Sequence, residues 1–303
     1  MSASHVIADT RVAARTRVLR SAPDESPWEL WQREPHPALA GLVAGVWLGS
    51  SAHAHARHRM LPNGELMLML HLGPGQRLLE RGGAPCDEVL RDGFIAGLQE
   101  RPSTYYCAEP HTCVVAVRLL PVGGYALFGG LPQAEITGQV LDPQAVLGGR
   151  SGIAALRQRM LEAPDAGVVL DLLEPWLLER FGAARTPHAA TREASALLGG
   201  SAGALRVDAL AHTAGVSRRR LHELFVREVG VPAKRLARIL RFRHALDGLA
   251  SAPAVDLARL AQHCGYYDQS HLNRDFRDLS TMTPLDYLVA HGAGLDGPDV
   301  IGG

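Results

Sequence analysis

From Trp28 to about Leu120 the apolar residues arrive in short bursts: VAGVWLGS, ELMLMLHL, DGFIAGL, STYYCA and TCVVAVRLL. These runs alternate or stay apolar over strand-like lengths, and turn-forming groups such as Pro62-Asn63-Gly64 and Gly73-Pro74-Gly75 separate them. The pattern predicts an antiparallel β-rich sheet or small barrel. After Pro121 the period lengthens to that of a helix in GGYALFGG, GIAALRQRML and AGVVLDLLEPWLLERF. In the last of these, Val169, Leu172, Leu173, Trp176 and Leu177 share roughly one face. The first part of the chain is therefore expected to be an α+β domain, sheet first and helices after. Gly182-Ala183-Ala184-Arg185-Thr186 reads as a boundary, and the remainder reads as all-α.

Within that remainder the periodicity predicts a helix with its core at 191–198, then helices at 207–213 and 217–229. A long connecting helix follows from about 232 to 249, and two more at 256–263 and 268–279. Thr283-Pro284-Leu285-Asp286 supplies a cap, a first-turn proline and an acidic third position for a last helix. The region contains a repeat. LAHTAGVSRRRLHELF, starting at Leu210, and LAQHCGYYDQSHLNRDF, starting at Leu260, superimpose with one extra residue in the second copy. The shared positions are apolar residues and a glycine: Leu210, Ala211, Gly215, Leu221 and Phe225 against Leu260, Ala261, Gly265, Leu272 and Phe276. Each copy reads as a helix, a glycine free to turn left-handed, and a second helix whose Leu and Phe share one buried face. That is a helix-turn-helix, present twice. His263, Cys264, Asp268 and His271 crowd the second copy like metal ligands, but none recurs in the first. Cys264 fits a small buried residue closing the turn, and Asp268 a carboxylate near a helix start.

The formal charge of the 303-residue chain is zero, yet it is unevenly spread. From Thr186 to Gly292 there are 14 Arg or Lys against 10 Asp or Glu, and from Ser217 to Arg243 nine against two. Positive charge thus gathers on the repeat, as a polyanion-binding surface requires. The four cysteines, Cys86, Cys107, Cys113 and Cys264, form no CxxC pair, which suits a reducing cytoplasm. The longest apolar run, Leu66 to Leu70, is too short to span a bilayer, so no membrane partner is expected. Four segments follow: a loose arm over 1–23, an α+β domain over 24–182, an all-α domain over 186–292 and a flexible tail over 293–303.

LAHTAGVSRRRLHELFVREVGVPAKRLARILRFRHAL followed by LAQHCGYYDQSHLNRDFRDLSTMTPLDYL resembles the AraC family of bacterial transcription regulators, over roughly the last 110 residues. GYYDQSHLNRDF before Thr-Pro is the most specific part. The resemblance implies two helix-turn-helix units joined by a long helix, with two recognition helices entering successive major grooves of double-stranded DNA. It also implies a small-molecule effector or oligomerisation in the N-terminal half, a possible homodimer, and RNA polymerase as partner of an activator. LPNGELMLMLHLG and VRLLPVGGYALFGG look like a sensing domain of uncharacterised specificity. No sugar-pocket residues of the arabinose regulator are recognisable.

With Leu221 and Phe225 inward, helical spacing turns Arg218, Arg219, His222 and Glu223 outward near the helix start, where a recognition helix meets bases. Arg219 suits guanine; Glu223 suits cytosine N4, or a neighbouring arginine. Gln269, Ser270, Asn273 and Arg274 are the equivalents in the second unit, with Gln269 and Asn273 suiting adenine. Arg220, Arg238, Arg241 and Arg277 are candidate phosphate contacts, although on the connecting helix the stems of Arg238, Arg241 and Arg243 also suit the domain core, with their heads meeting phosphate or an acidic neighbour.

Rival readings rest on less. An enzyme lacks support, since there is no GxSxG, no HExxH, no dinucleotide fingerprint and no Walker lysine, Lys234 being the single lysine. No cofactor is expected. A metal-responsive regulator would draw on His53, His55 and His58, or on Cys107, His111 and Cys113. The plainer reading is an exposed His-rich loop before Pro62 and two thiols buried in a sheet. A constitutive DNA-binding regulator with no ligand is the remaining alternative. Trp28, Trp31, Trp47, Tyr105 and Tyr106 suit either an apolar pocket or core.

Overall fold

A computed structural model describes residues 15–21, 27–251 and 256–292. The N-terminal half is a sandwich of two antiparallel sheets. Its strands are β1 (Thr16–Arg20), β2 (Trp28–Arg33), β3 (Val43–Ser51), β4 (Ala56–Met60), β5 (Leu66–His71), β6 (Gln76–Arg81), β7 (Ala84–Leu90), β8 (Gly93–Ala96), β9 (Ser103–Cys107), β10 (Thr112–Leu119) and β11 (Val140–Leu141). The larger sheet runs β1-β2-β3-β10-β5-β8-β11 and the smaller β4-β9-β6-β7. LMLMLH makes sense on β5, which lies inside the larger sheet with every residue buried. Successive side chains on a strand take opposite faces. Met67 and Met69 therefore meet Trp47, Leu78, Phe94, Tyr105 and Ala116 between the sheets. Leu66, Leu68 and Leu70 enter a second core on the outer face.

That outer face is covered by helices. After α1 (Gly123–Leu127) and α2 (Pro143–Leu147) come α3 (Ile153–Leu161) and α4 (Ala166–Gly182), whose Val169, Leu173, Trp176 and Leu177 join the Leu66–Leu70 core. Leu172 is only partly buried, at the margin of the predicted face. The Trp176 indole N–H donates to the Ser151 carbonyl at 2.8 Å, so its polar edge is satisfied where it is buried.

Two expectations need correction. The arm predicted over 1–23 is a strand at 16–20: β1 pairs with β2 from Thr16↔Arg33 to Arg20↔Glu29, and Val18 is buried. A single inward valine among arginines gives almost no alternation to read, and ion pairs Arg15–Glu174 and Arg20–Glu29 add to the hold. The rest of that arm, and the tail beyond 292, lie outside the described residues. The His-rich loop before Pro62 ends at His55, after which β4 pairs with β9. An edge strand of polar residues is typical of protected sheet edges and carries no hydrophobic signature.

The C-terminal half is all-α: α5 (Ala189–Gly200), α6 (Val207–Thr213), α7 (Arg218–Glu228), α8 (Ala233–Ser251), α9 (Leu257–His263), α10 (Gln269–Ser280) and α11 (Pro284–Gly292). Its core holds Leu221, Phe225, Leu236, Phe242, Leu272 and Phe276, all essentially inaccessible. The two halves are docked. Leu236 and Leu240 of α8 close over Gly64, where a Cβ would lie 3.0 Å from Leu240 Cδ2. Glu65, nearly buried, is held by Arg118 of β10 at 3.5 Å and Arg243 of α8 at 2.8 Å. Arg235 pairs with Glu100, and Arg59 donates to Thr281 Oγ1 at 2.6 Å.

Candidate nucleic-acid interface

The two helix-turn-helix units are built by the same backbone hydrogen bonds. In the first, Gly215 N–H donates to His212 O at 3.1 Å and Val216 N–H to Ala211 O at 3.0 Å. In the second, Gly265 donates to Gln262 O at 3.1 Å and Tyr266 to Ala261 O at 2.9 Å. Both glycines sit at positive φ, 65° and 75°, where a side chain would be strained. The next helix then starts on a side-chain cap: Ser217 Oγ accepts from Arg220 N–H at 3.1 Å, and Asp268 Oδ1 from His271 N–H at 2.7 Å. Asp268 is thus a cap, and Cys264 is buried at the turn.

These matching bonds place the extra residue of the second copy. Val216 precedes its cap directly, whereas Tyr267 intervenes between Tyr266 and Asp268. Tyr266 is buried, and Tyr267 is 90% exposed at the start of α10. Tyr267 is a further candidate contact that spacing arguments passed over. The signal was present, since the length difference between the copies falls there.

On α7, Arg218, Arg219, Arg220, His222 and Glu223 are all exposed while Leu221, Leu224 and Phe225 are buried. Glu223 accepts from Arg219 Nε at 3.1 Å and lies 3.5 Å from Arg220 Nη1. Hydrogen bonding from Arg219 holds the Glu223 carboxyl below its ordinary range. Of the two roles open to Glu223, pairing with a neighbouring arginine is the one adopted here. Arg218 pairs with Asp208 of α6. On α10, Gln269, Ser270, Arg274 and Arg277 are exposed, and Asn273 is half-buried with its Oδ1 unpartnered.

The connecting-helix arginines divide between acidic neighbours and an aromatic ring. Arg238 Nε donates to buried Asp275 Oδ1 at 2.8 Å, and its Nη2 to Asp278. It braces α8 against α10 with its charge already matched, the acidic-neighbour reading of the two open to it. Arg241 lies over the Tyr266 ring, its Cζ 5.6 Å from the centroid.

The N-terminal histidines and cysteines do not converge. His53 Nδ1 is 2.7 Å from Ser51 Oγ, and His55 Nδ1 2.7 Å from Tyr106 OH. Cys107 and Cys113 belong to different sheets, and burial raises the thiols of Cys86, Cys107 and Cys113 above their ordinary value. Among the described residues no three His, Cys, Asp or Glu side chains are placed to hold a metal ion, and no helix is long and apolar enough to cross a membrane. Trp47 and Tyr105 are core, while Trp28, Trp31 and Tyr106 are half-buried.

Residues 210–289 match a helix-turn-helix domain family, and residues 32–142 match a domain family of unknown function, DUF6597. Similar solved structures include an apo variant of ToxT from Vibrio cholerae strain SCE256, at 11% identity over 85% of this chain and 99% of that chain, with a TM-score of 0.44. Unsaturated fatty acid bound wild-type ToxT of that strain is 10% identical over 84% and 96%, with a TM-score of 0.44. A transcriptional regulator of the AraC-type DNA-binding group from Chromobacterium violaceum is 24% identical over 36% and 94%, with a TM-score of 0.32. No curated protein matches the chain. The duplicated turn, the capped and exposed second helices and the family match on those same residues lead to one conclusion: the C-terminal part of this chain carries a helix-turn-helix domain over residues 210–289.

Proposed function

We propose that this protein is a DNA-binding transcription regulator of the AraC type that reads two adjacent major grooves of double-stranded DNA, α7 in one and α10 in the other, and that its N-terminal domain tunes this reading in response to a small-molecule effector. The observation that carries the proposal is the exposed polar face at the start of each second helix. Arg218, Arg219 and His222 from the first unit, and Gln269, Ser270, Asn273 and Arg274 from the second, supply guanine- and adenine-type readers. Glu223 aligns Arg219 and Arg220 rather than reading cytosine. Arg220, exposed in the same turn as Arg219, and Arg277, exposed one turn beyond Arg274, supply phosphate contacts, and Arg241 reaches phosphate from its perch on Tyr266. Effector response is supported by the docking of the sheet domain on α8, the element that joins the two readers. A homodimer, and contact with RNA polymerase at activated promoters, complete the proposal.

Selection of bound sequences from a random DNA pool with the full-length protein tests the reading. Wild type should yield a two-box, asymmetric site for each subunit, repeated once where a homodimer binds. Arg219→Ala and Arg274→Ala should each cost about 1–3 kcal/mol at that site and relax preference in different boxes. Unchanged preferences in both variants would place the readers on other faces of the helices.

A further inference from the structure

The two helix-turn-helix copies differ in where they carry acids. Setting Leu221 on Leu272 places Glu223 of the first unit against Arg274 of the second, and setting Leu210 on Leu260 places Asp208 against Ala258. Neither carboxylate is therefore needed to build the motif. In the first unit both are engaged by the arginines that open α7. Asp208 of α6 pairs with Arg218, while Glu223 accepts from Arg219 Nε at 3.1 Å and lies 3.5 Å from Arg220 Nη1. These pairs do not serve the helix. Arginines in the first turn oppose the helix dipole, and an arginine placed four residues before a glutamate is the weaker order of an i,i+4 pair. Exposed pairs of this kind also add little to stability. Their effect is on charge: three arginines face two carboxylates, so the reading turn carries a net single positive charge in place of three. Arg219 holds the Glu223 carboxyl below its ordinary range, so it stays ionised at neutral pH.

We propose that Glu223, assisted by Asp208, sets the specificity of the first reader: it withholds the α7 arginines from unmatched DNA while leaving Arg219 able to read guanine. The proposal deepens the DNA reading above and rests on it. Arg219 is 91% exposed and is bonded to Glu223 through Nε, so both terminal nitrogens keep their donors. Those are the donors that meet guanine O6 and N7 end-on. At a matched box the arginine therefore reads its base without leaving the carboxylate, and the Glu223 charge stays compensated inside the groove. On unmatched DNA the arginines have only phosphate to turn to. Reaching it exchanges one anion for another and strands the Glu223 charge beside a polyanion, so little is gained. Discrimination arises because the carboxylate opposes the unmatched complex more than the matched one. Glu223 is thus a positioning residue, acting on DNA through Arg219 and Arg220.

The test measures affinity of the full-length protein for the selected two-box duplex and for a scrambled duplex of equal length, at several salt concentrations. Glu223→Gln keeps an acceptor for Arg219 Nε and removes the charge. It should raise scrambled-duplex affinity about fivefold or more and steepen the salt slope on that duplex by about 0.9, the signature of one further phosphate contact. Affinity for the selected duplex should change by about twofold or less, so discrimination falls. Asp208→Asn should act in the same direction through Arg218. Glu223→Ala should also relax the base preference at the position read by Arg219, in selection from a random pool, whereas Glu223→Gln retains it. Far-UV circular dichroism and urea unfolding should match wild type in all three variants. Equal gains on both duplexes in Glu223→Gln would make Glu223 one negative charge among many and overturn its role in specificity. Loss of affinity for the selected duplex in that variant would return Glu223 to cytosine and overturn the proposal. An unchanged base preference in Glu223→Ala would overturn the presentation of Arg219. Wild type binding neither duplex would overturn the DNA reading and this proposal with it, whereas wild-type binding with unaltered variants overturns the proposal alone.

Discussion

Among the individual residues, Tyr267 and His71 carry the sharpest consequences. An inserted, 90% exposed tyrosine beside a helix start has no packing role in the free protein, so removing it should leave stability unchanged. Its ring and hydroxyl suit the sugar-phosphate edge of the box read by α10. Tyr267→Ala should therefore weaken operator binding several-fold, with Tyr267→Phe intermediate, in a fluorescence-anisotropy titration. Equal affinities for the three proteins would return Tyr267 to a solvent-exposed ornament of the turn. His71 is fully buried, with Nδ1 3.2 Å from the Arg91 carbonyl, which makes Nδ1 the protonated nitrogen and leaves Nε2 bare. Burial holds its pKa below the ordinary value near 6.5. The unfolded chain then takes up a proton that the native state refuses. Stability is lost as pH falls from about 6.5 towards the depressed native value, and not further below it. Urea unfolding at pH 7.5 and 5.5 should show this loss in wild type and a smaller one in His71→Asn, which keeps a donor for Arg91. An identical pH dependence would assign the loss to other groups.

At the level of elements, α8 and α10 are coupled by Arg238, and the cost of breaking that brace follows from burial. Asp275 is only 6% exposed and would be left as an unpaired buried charge, whereas Asp278 is half-exposed. Arg238→Ala should destabilise by about 3 kcal/mol in chemical denaturation, and Asp278→Ala by under about 1 kcal/mol. The reverse order would show that Asp278 carries the brace. The helices were largely legible beforehand because caps and turn glycines are local signals. Ser217, Asp268 and the Thr283-Pro284 pair announce starts, and Gly215 and Gly265 announce turns. The strands were legible where one face is buried, as on β5 and β10, and illegible at β1, β4 and the β6–β7 hairpin. There, edge position or solvent on one face lets Arg, His and Glu occupy strand sites. In the candidate interface, outward faces follow from helical spacing and were readable. For Arg238 spacing could not choose between phosphate and an acidic neighbour, because its partners lie 37 and 40 residues away on another helix.

For the whole molecule, the central claim is that two unlike readers act as one because a single helix joins them and a second domain is docked on that helix. Helix α8 has 19 residues, about 28 Å at 1.5 Å per residue, which is close to the rise of one DNA turn. A link of that length cannot follow a change in box spacing without bending the DNA or breaking the α8–α10 brace. The most direct measurement is the affinity of the full-length protein for its selected site with about five base pairs inserted between the two boxes, against the native spacing at fixed salt. The insertion turns the second box to the far side of the duplex. The account predicts that affinity falls to that of a site with the second box scrambled, and that a full-turn insertion does not restore binding by one subunit. Affinity unchanged by the half-turn insertion would contradict it, leaving one unit as the reader and the other as scaffold.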